Sequence, residues 1–347
     1  MRIAQIAPLF EPVPPARYGG TERVVSFLTE ELARRGHDVT LFASGDSTTR
    51  ARLVGVTERA LRRDDGNGNA LAVAHTLQLA LVLARAHEFD VIHCHVDHPA
   101  FPYSRLVGTP ILHTLHGRLD LPYLPPLFRE LRDVPFVSIS DAQRAPLAAL
   151  GLRWAGTVHH GLPLERYAFS AEPGTYLAFL GRLSPEKRPD LAIEIARRVG
   201  LPLRIAAKAD PTERAYFETE IRPQLDDPLV EYLGEIGDAD KPAFLGGALA
   251  LLFPIDWPEP FGLAMIEAMA CGTPVIARPC GAVAEVVVPG RTGFVGESIV
   301  DLVDGVKRIE TIDRAACRRR VEARFSVQRM ADGYERLYRR LARARAA

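Results

Sequence analysis

The sequence lacks any run of about 18 apolar residues, the minimum for a membrane-spanning helix. Cysteine is scarce: Cys94, Cys271, Cys280 and Cys317 are the only four in 347 residues, and none forms a C-x-x-C pair. That argues against a disulfide frame or a zinc site and for reduced thiols in a cytoplasmic protein. Net charge is absent, with 43 basic residues against 43 acidic ones, so the totals ask for neither nucleic acid nor a highly charged substrate. "MRIAQIAPLF" is too short and too weakly basic for a signal peptide. No G-x-G-x-x-G follows the first apolar run; "YGGTER" is a different pattern and disfavours a dinucleotide-binding protein. A compelling D-x-D element is missing as well, since "DAD" at Asp238–Asp240 reads as a helix start, and no metal is expected. The expected location is the cytoplasm, with peripheral contact at the inner membrane surface left open.

What is present is a regular alternation. "RIAQIAP", "HDVTLFAS", "DVIHCH", "PILHTLH", "PFVSIS" and "GTVHHG" read as strands, and "TERVVSFLTEELARRG" as a helix with Val24, Val25, Phe27, Leu28 and Leu32 mainly on one face. From about Tyr176 the pattern restarts with "YLAFLG", "PDLAIEIARRVG", "LPLRIAAK", "ERAYFETEIRPQL", "LVEYLG" and "ALALLFP". Strands alternating with helices imply an α/β protein with parallel sheets covered on both faces. Each half is long enough for its own doubly wound sheet, and "PLERYAFSAEPGT" between them reads as a linker. Two such domains facing a cleft would bind a ligand beyond the carboxyl ends of their strands. From Asp313 onward eleven arginines meet four acids; a solvated helical face is weighed there against an anionic membrane or partner.

Two segments carry chemistry. In "GRLSPEKRPD", Ser184 suits an N-cap and Pro185 the first helical position, so Arg182 and Lys187 flank a helix start. Two cations beside free amides suit a diphosphate. In "EPFGLAMIEAMACGTPVIA", Pro260, Phe261 and Gly262 mark the turn into a helix, with Glu259 just before it and Glu267 within it. Eight residues at about 1.5 Å each separate the acids by about 12 Å along the helix axis, and a carboxylate accepts well from two adjacent hydroxyls. The amides of Gly262 and Leu263 would face the groups between. Histidines crowd the first half at His93, His95, His98, His113 and His116, with His159 and His160 further on. Without cysteine partners this is a weak metal signal. His113 and His116, three apart, point to opposite faces of a strand, one of them for packing. Ser140 reads as a cap of the following helix.

These motifs, with "YGGTERVVSFLTEELARRGHDVTLFA" and "ILHTLHG", resemble retaining glycosyltransferases of family 4, which have the GT-B fold; the resemblance runs in order over nearly the whole chain. It implies an acceptor-side domain over 1–165, a nucleotide-sugar domain over 166–325 and a C-terminal helix, 326–347, packing back on the first. It implies a hexose moved from a UDP- or GDP-sugar, UDP-glucose for example, to an acceptor hydroxyl with retention, by front-face attack and without a metal or other cofactor. By that resemblance Glu259 meets the sugar hydroxyls and Glu267 the ribose, Arg182 and Lys187 neutralise the diphosphate, and Phe261, Gly262 and Leu263 also bind the donor. Gly19 and Gly20 approach phosphate or acceptor, and His116 lies near the reacting carbon. The base would meet backbone near Glu235 and Ile236. The acceptor stays open among a glycan, as in polysaccharide biosynthesis, a lipid and a small metabolite. Two readings compete: a nucleotide-sugar-binding protein without transfer activity, and a GT-B nucleotide-sugar epimerase.

Overall fold

The computed structural model describes residues 1–61 and 68–346, so Ala347 of the expected final segment lies outside it. The chain forms two compact units, 1–161 with 327–347, and 162–326. The first runs β1 (Arg2–Ile6), α1 (Gly20–Arg34), β2 (Asp38–Ala43), β3 (Arg52–Gly55), α2 (Gly68–Ala84), β4 (Val91–Cys94), β5 (Ile111–Leu115), α3 (Leu124–Glu130), β6 (Phe136–Ser138) and β7 (Trp154–Thr157). These strands form one parallel sheet in the order β3-β2-β1-β4-β5-β6-β7. Strands β4 and β5 are buried along their full length, as expected where helices cover both faces of a parallel sheet. The edge strand β3, "RLVG", is short and only partly buried, and its pattern does not announce it.

The second unit runs β8 (Tyr176–Arg182), α4 (Pro189–Val199), β9 (Leu203–Lys208), α5 (Arg214–Tyr216), β10 (Val230–Gly234), α6 (Lys241–Gly246) and β11 (Ala248–Phe253). It continues with α7 (Leu263–Ala270), β12 (Val275–Ala277), α8 (Val283–Val286), β13 (Gly293–Val295), α9 (Ile299–Lys307) and α10 (Arg314–Arg324). Its parallel sheet has the order β10-β9-β8-β11-β12-β13. In both sheets the order reverses beside the unit's first strand, between β1 and β4 and between β8 and β11. Loops leaving the carboxyl ends of strands at such a switch point diverge to opposite faces and open a crevice, which is where ligands of doubly wound sheets bind.

Helix α11 (Val327–Ala346) belongs to the first unit. It buries Tyr334 and Tyr338. Beyond α1, Arg35 bonds Asp332 at 2.7 Å and Glu335 at 3.1 Å. The arginines of α10 serve neither a solvated face nor an anionic surface alone. Arg314 is buried and donates to the carbonyls of Ser170, Ala248 and Gly246 and to Thr273 Oγ1, all within 3.0 Å. Arg318 donates to the carbonyls of Tyr167 (2.7 Å) and Ala270 (2.8 Å), the second being the last residue of α7. A cation on the terminal carbonyls of a helix also complements its dipole. "PLERYAFSAEPGT" is therefore no free linker: Tyr167 is buried in the second unit.

Three local expectations change. The helix expected after Ser184 is divided into a 3-10 turn over Pro185–Lys187, a left-handed Arg188 (φ 55°) and then α4. Ser184 Oγ is buried without a hydrogen-bond partner and caps nothing. The segment read as one helix over 213–225 is a succession of short α, π and 3-10 turns, with Pro223 inside its last turn. Helix α7 begins only at Leu263, so the stretch from Glu259 to Gly262 is not helical and the 12 Å axial separation of the two glutamates does not apply. Ser140 behaves as expected, its hydroxyl accepting from the Gln143 amide at 3.0 Å. Among the described residues no helix is long and apolar enough to cross a membrane.

Candidate functional site

The carboxyl ends of β8 and β11 flank the second unit's switch point and carry most of the expected residues. Arg182 ends β8 and bonds Glu186 at 2.7 Å. Five residues on, the 3-10 turn carries Lys187, whose amide donates to Ser184 O at 3.0 Å. From β11 the chain runs through Asp256 and Trp257 to Glu259. The Asp256 amide donates to Glu186 O at 2.9 Å and ties the two loops together. Lys187 Nζ then reaches Glu259 Oε2 directly, and the same oxygen accepts from Trp257 Nε1 at 3.0 Å. Lys187 Nζ also lies 4.7 Å from the centre of the Trp257 ring, a cation–π position. One expected cation and one expected carboxylate, 72 residues apart in sequence, are thus partners.

Glu267 lies on α7 and is only 2% exposed. Its Oε1 accepts from Lys241 Nζ at 3.0 Å and from Tyr167 OH at 3.1 Å. Lys241 also meets Asp238 at 3.2 Å. A carboxylate this buried needs such partners, because desolvating an unpaired charge is very costly. Glu235 and Ile236 follow β10 on the loop that leads through Asp238 to Lys241, half-buried. Gly262 and Leu263 stand at the start of α7, where the first amides lack partners within the helix. The Phe261 ring is buried, edge-on against Phe325 at 5.8 Å.

Gly281 supports Glu259 from behind. A Cβ there would lie 2.3 Å from both the amide nitrogen and the carbonyl oxygen of Glu259, and φ is +58°. The neighbouring Ala282 amide donates to Glu259 O at 2.9 Å. Gly281→Ala is expected to push Glu259 out of register with Lys187, with a stability loss of about 1–3 kcal/mol from overpacking. Thermal unfolding would show the loss, and the rate of glycosyl transfer would fall further than stability alone explains; wild-type behaviour on both counts would refute this support role.

In the first unit, Gly19 precedes α1 and Gly20 opens it. Gly19 has φ +141°, and a Cβ would sit 2.8 Å from Pro15 Cβ, so this close turn excludes a side chain. His116 follows the carboxyl end of β5. Its Nε2 meets His95 Nδ1 at 2.8 Å, and its ring stacks on His160 at 5.3 Å. Burial pushes the His116 imidazolium down to about 3, so the ring is neutral at physiological pH. His113 faces the other way, bonded to Ser104 Oγ at 2.7 Å and packed on Phe101 and Phe136. His93 is held by Tyr338 and Thr114. Among the described residues no three His, Cys, Asp or Glu side chains are grouped to hold a metal ion.

Sequence reasoning missed Tyr167, Lys241, Trp257 and Lys208. Lys208 ends β9 in register with Arg182, placing two cations at adjacent strand ends. The carboxyl end of a strand next to β8 was a usable signal for Lys208. Nothing in local spacing pairs Tyr167 or Lys241 with Glu267.

Two parallel doubly wound α/β units, each with polar residues gathered at its switch point, are those of the GT-B fold. Residues 18–184 match the model of Glycosyltransferase Family 4 and residues 167–324 that of Glycosyl transferases group 1. The chain belongs to the family 4 type of GT-B glycosyltransferases. It is 26% identical to a glycogen synthase of Mycobacterium tuberculosis, over 93% of this chain and 89% of the relative. To a D-inositol 3-phosphate glycosyltransferase of Rhodococcus erythropolis it is 27% identical, over 93% and 87%. Among solved structures it is similar to AviGT4, a glycosyltransferase involved in avilamycin A biosynthesis, with TM-score 0.77 and 25% identity over 99% of this chain and 98% of the other. Sucrose-phosphate synthase from Thermosynechococcus elongatus shares the fold, with TM-score 0.80 and 21% identity over 99% and 100%.

Proposed function

We propose that this glycosyltransferase moves a hexose from a nucleotide-diphosphate sugar to an acceptor hydroxyl, with retention of anomeric configuration and without a divalent metal. The observation that carries the reading is the meeting of Lys187, Trp257 and Glu259 beside the start of α7, with Glu267 further along the same helix. In this reading Glu267 holds the ribose and Glu259 the sugar hydroxyls. Arg182 and Lys187 take the diphosphate, helped by the amides of Gly262 and Leu263. Cleavage of the sugar–phosphate bond develops negative charge on the leaving phosphate, and fixed cations and helix amides stabilise it without reorganising. The acceptor attacks on the face the leaving group vacates, and a phosphate oxygen takes its proton. Glu259 is assigned no nucleophilic role, since its Oε2 is engaged by Lys187 and Trp257. The backbone near Glu235 and Ile236 is assigned to the base, His116 to the sugar and Gly19–Gly20 to phosphate or acceptor. A structure of the same fold, HepE from Anabaena, contains UDP-glucose, which makes it the first donor to test.

The test is a thermal-shift panel of nucleotide sugars followed by product analysis. A donor at 100 times its Kd adds about 2.7 kcal/mol to the stability of the folded protein. At least one UDP- or GDP-sugar is expected to raise the melting temperature, and the product should keep the donor's anomeric configuration by NMR. A panel without any shift would overturn the donor class, and an inverted product the stereochemistry.

A further inference from the structure

The histidines of the first unit form a directed chain that the proposed transfer does not itself explain. Gln5, fully buried in β1, has two different ends. Its Nε2 donates to Tyr338 OH at 3.2 Å, and its Oε1, which can only accept, faces His95 Nε2 at 2.9 Å. His95 therefore carries its proton on Nε2. Burial holds its imidazolium pKa well below the ordinary value, with the other histidines adding to this, so the ring is neutral and Nδ1 is bare. A bare Nδ1 can only accept, and its partner at 2.8 Å is His116 Nε2. His116 must then be protonated on Nε2. Its remaining nitrogen, Nδ1, is buried and has no hydrogen-bond partner.

The direction set at Gln5 extends through α11. Tyr338 OH accepts from Gln5 and so has its proton free for His93 Nδ1, 2.7 Å away. His93 in turn presents Nε2 to Thr114 Oγ1 at 2.7 Å, and Thr114 meets Tyr334 OH at 3.1 Å. A buried acceptor without a donor costs about 1–3 kcal/mol, and a native exception of this kind calls for an explanation. A hydroxyl group supplied by a bound sugar or acceptor is a donor of the required kind.

We propose that Tyr338, Gln5 and His95 form a positioning relay that holds His116 with its proton on Nε2, so that Nδ1 offers a lone pair to a substrate hydroxyl. The contact with substrate rests on the proposed function; the tautomer does not. None of the three relay residues touches substrate. Their role is to fix which nitrogen of His116 is bare and to hold the ring plane through the 2.8 Å bond. The relay also makes α11 part of the site's architecture, because Tyr338 OH accepts from the Gln5 amide whose two ends set the direction of the chain.

The experiment uses the full chain labelled with 15N-histidine, and reads the tautomers from long-range proton–nitrogen correlations. In the free protein His116 is expected with a protonated Nε2 and a bare Nδ1. A proton on Nδ1, or on both nitrogens, would overturn the relay. Gln5→Glu adds a second arm. A carboxylate facing His95 favours its cation, whose Nδ1–H then donates to His116 and moves the His116 proton to Nδ1. An unchanged His116 tautomer in a folded Gln5→Glu protein would also overturn the relay; should that variant fail to fold, the wild-type spectrum decides alone. With the donor identified by thermal shift, Gln5→Glu is expected to lower kcat/KM roughly 10- to 100-fold. His116→Asn tests the parent reading separately: transfer at the wild-type rate would remove the substrate contact while leaving the tautomer assignment to the spectrum.

Discussion

Glu259→Ala is expected to slow glycosyl transfer by about 10²–10³-fold while leaving nucleoside diphosphate affinity within a few fold of wild type. The proposed contact of Glu259 is with the sugar and strengthens as charge develops on the ring, so its loss falls on kcat rather than on nucleotide binding. The structure adds a second consequence. Removing the carboxylate strips Lys187 of its ion-pair partner, with the two side chains only 15% and 10% exposed. The freed cation would keep the ring contact with Trp257 and turn its full charge to the diphosphate, which favours tighter binding of the product. Glu259→Gln separates the two effects, because an amide retains an acceptor for Trp257 Nε1 and loses the charge. Titration calorimetry with the nucleoside diphosphate, beside steady-state transfer rates, checks the split. A Glu259→Ala enzyme that binds nucleotide a hundredfold more weakly and transfers at normal kcat would reverse the assignment of the two glutamates.

Glu267→Ala is expected to do the opposite, weakening nucleoside diphosphate binding roughly 10- to 100-fold. Hydrogen bonds from ribose hydroxyls to a carboxylate belong to the charge-assisted class, worth about 1.5–3 kcal/mol, and each 1.4 kcal/mol is about a factor of ten in Kd. This variant also carries a folding cost that Glu259→Ala does not share to the same degree. Lys241 is 8% exposed in its side chain and would lose the partner 3.0 Å away, keeping only Asp238 at 3.2 Å. Breaking a buried pair on one side costs about 3–5 kcal/mol, and the retained Asp238 places the expected loss toward the lower end. The double variant Glu267→Leu with Lys241→Met removes both charges and should recover much of that stability without recovering nucleotide affinity. Denaturant unfolding measures the first quantity and calorimetry the second. Unchanged nucleotide affinity in a folded Glu267→Ala protein would remove Glu267 from the donor site.

The roles of Arg182 and Lys187 differ more than their shared motif suggests. Arg182 sits at a strand end beside Lys208 and is matched by Glu186 four residues on, a local pair on one short loop. Lys187 is matched by Glu259 across 72 residues. In the proposed reading, donor binding would therefore compete with an internal ion pair at Lys187, whereas at Arg182 it would compete with a pair whose side chains are 26% and 25% exposed.

Strand and helix alternation was legible because burial between two helical layers makes parallel strands continuous apolar runs, and β1, β2, β4, β5, β8, β9 and β11 all show it. The family motifs also singled out Glu259, Glu267, Arg182 and Lys187 as candidates, since each lies in a contiguous run. The failures have a common cause. The helical spacing assumed between Glu259 and Glu267 broke down because Gly262 and the preceding prolines delay α7 until Leu263. That the Phe261 ring is core was equally illegible, since its partner Phe325 lies far along the chain.

From the order of residues alone came two parallel α/β halves and the loops that bear charged groups, because periodicity and turn chemistry act over a few residues. Tertiary structure alone decided the pairings: Lys187 with Glu259, Lys241 and Tyr167 with Glu267, Gly281 against the Glu259 backbone, and Gln5 with Tyr338 across 333 residues. Each joins segments distant in sequence that only the folded chain brings side by side, and no local pattern encodes which side chains meet there.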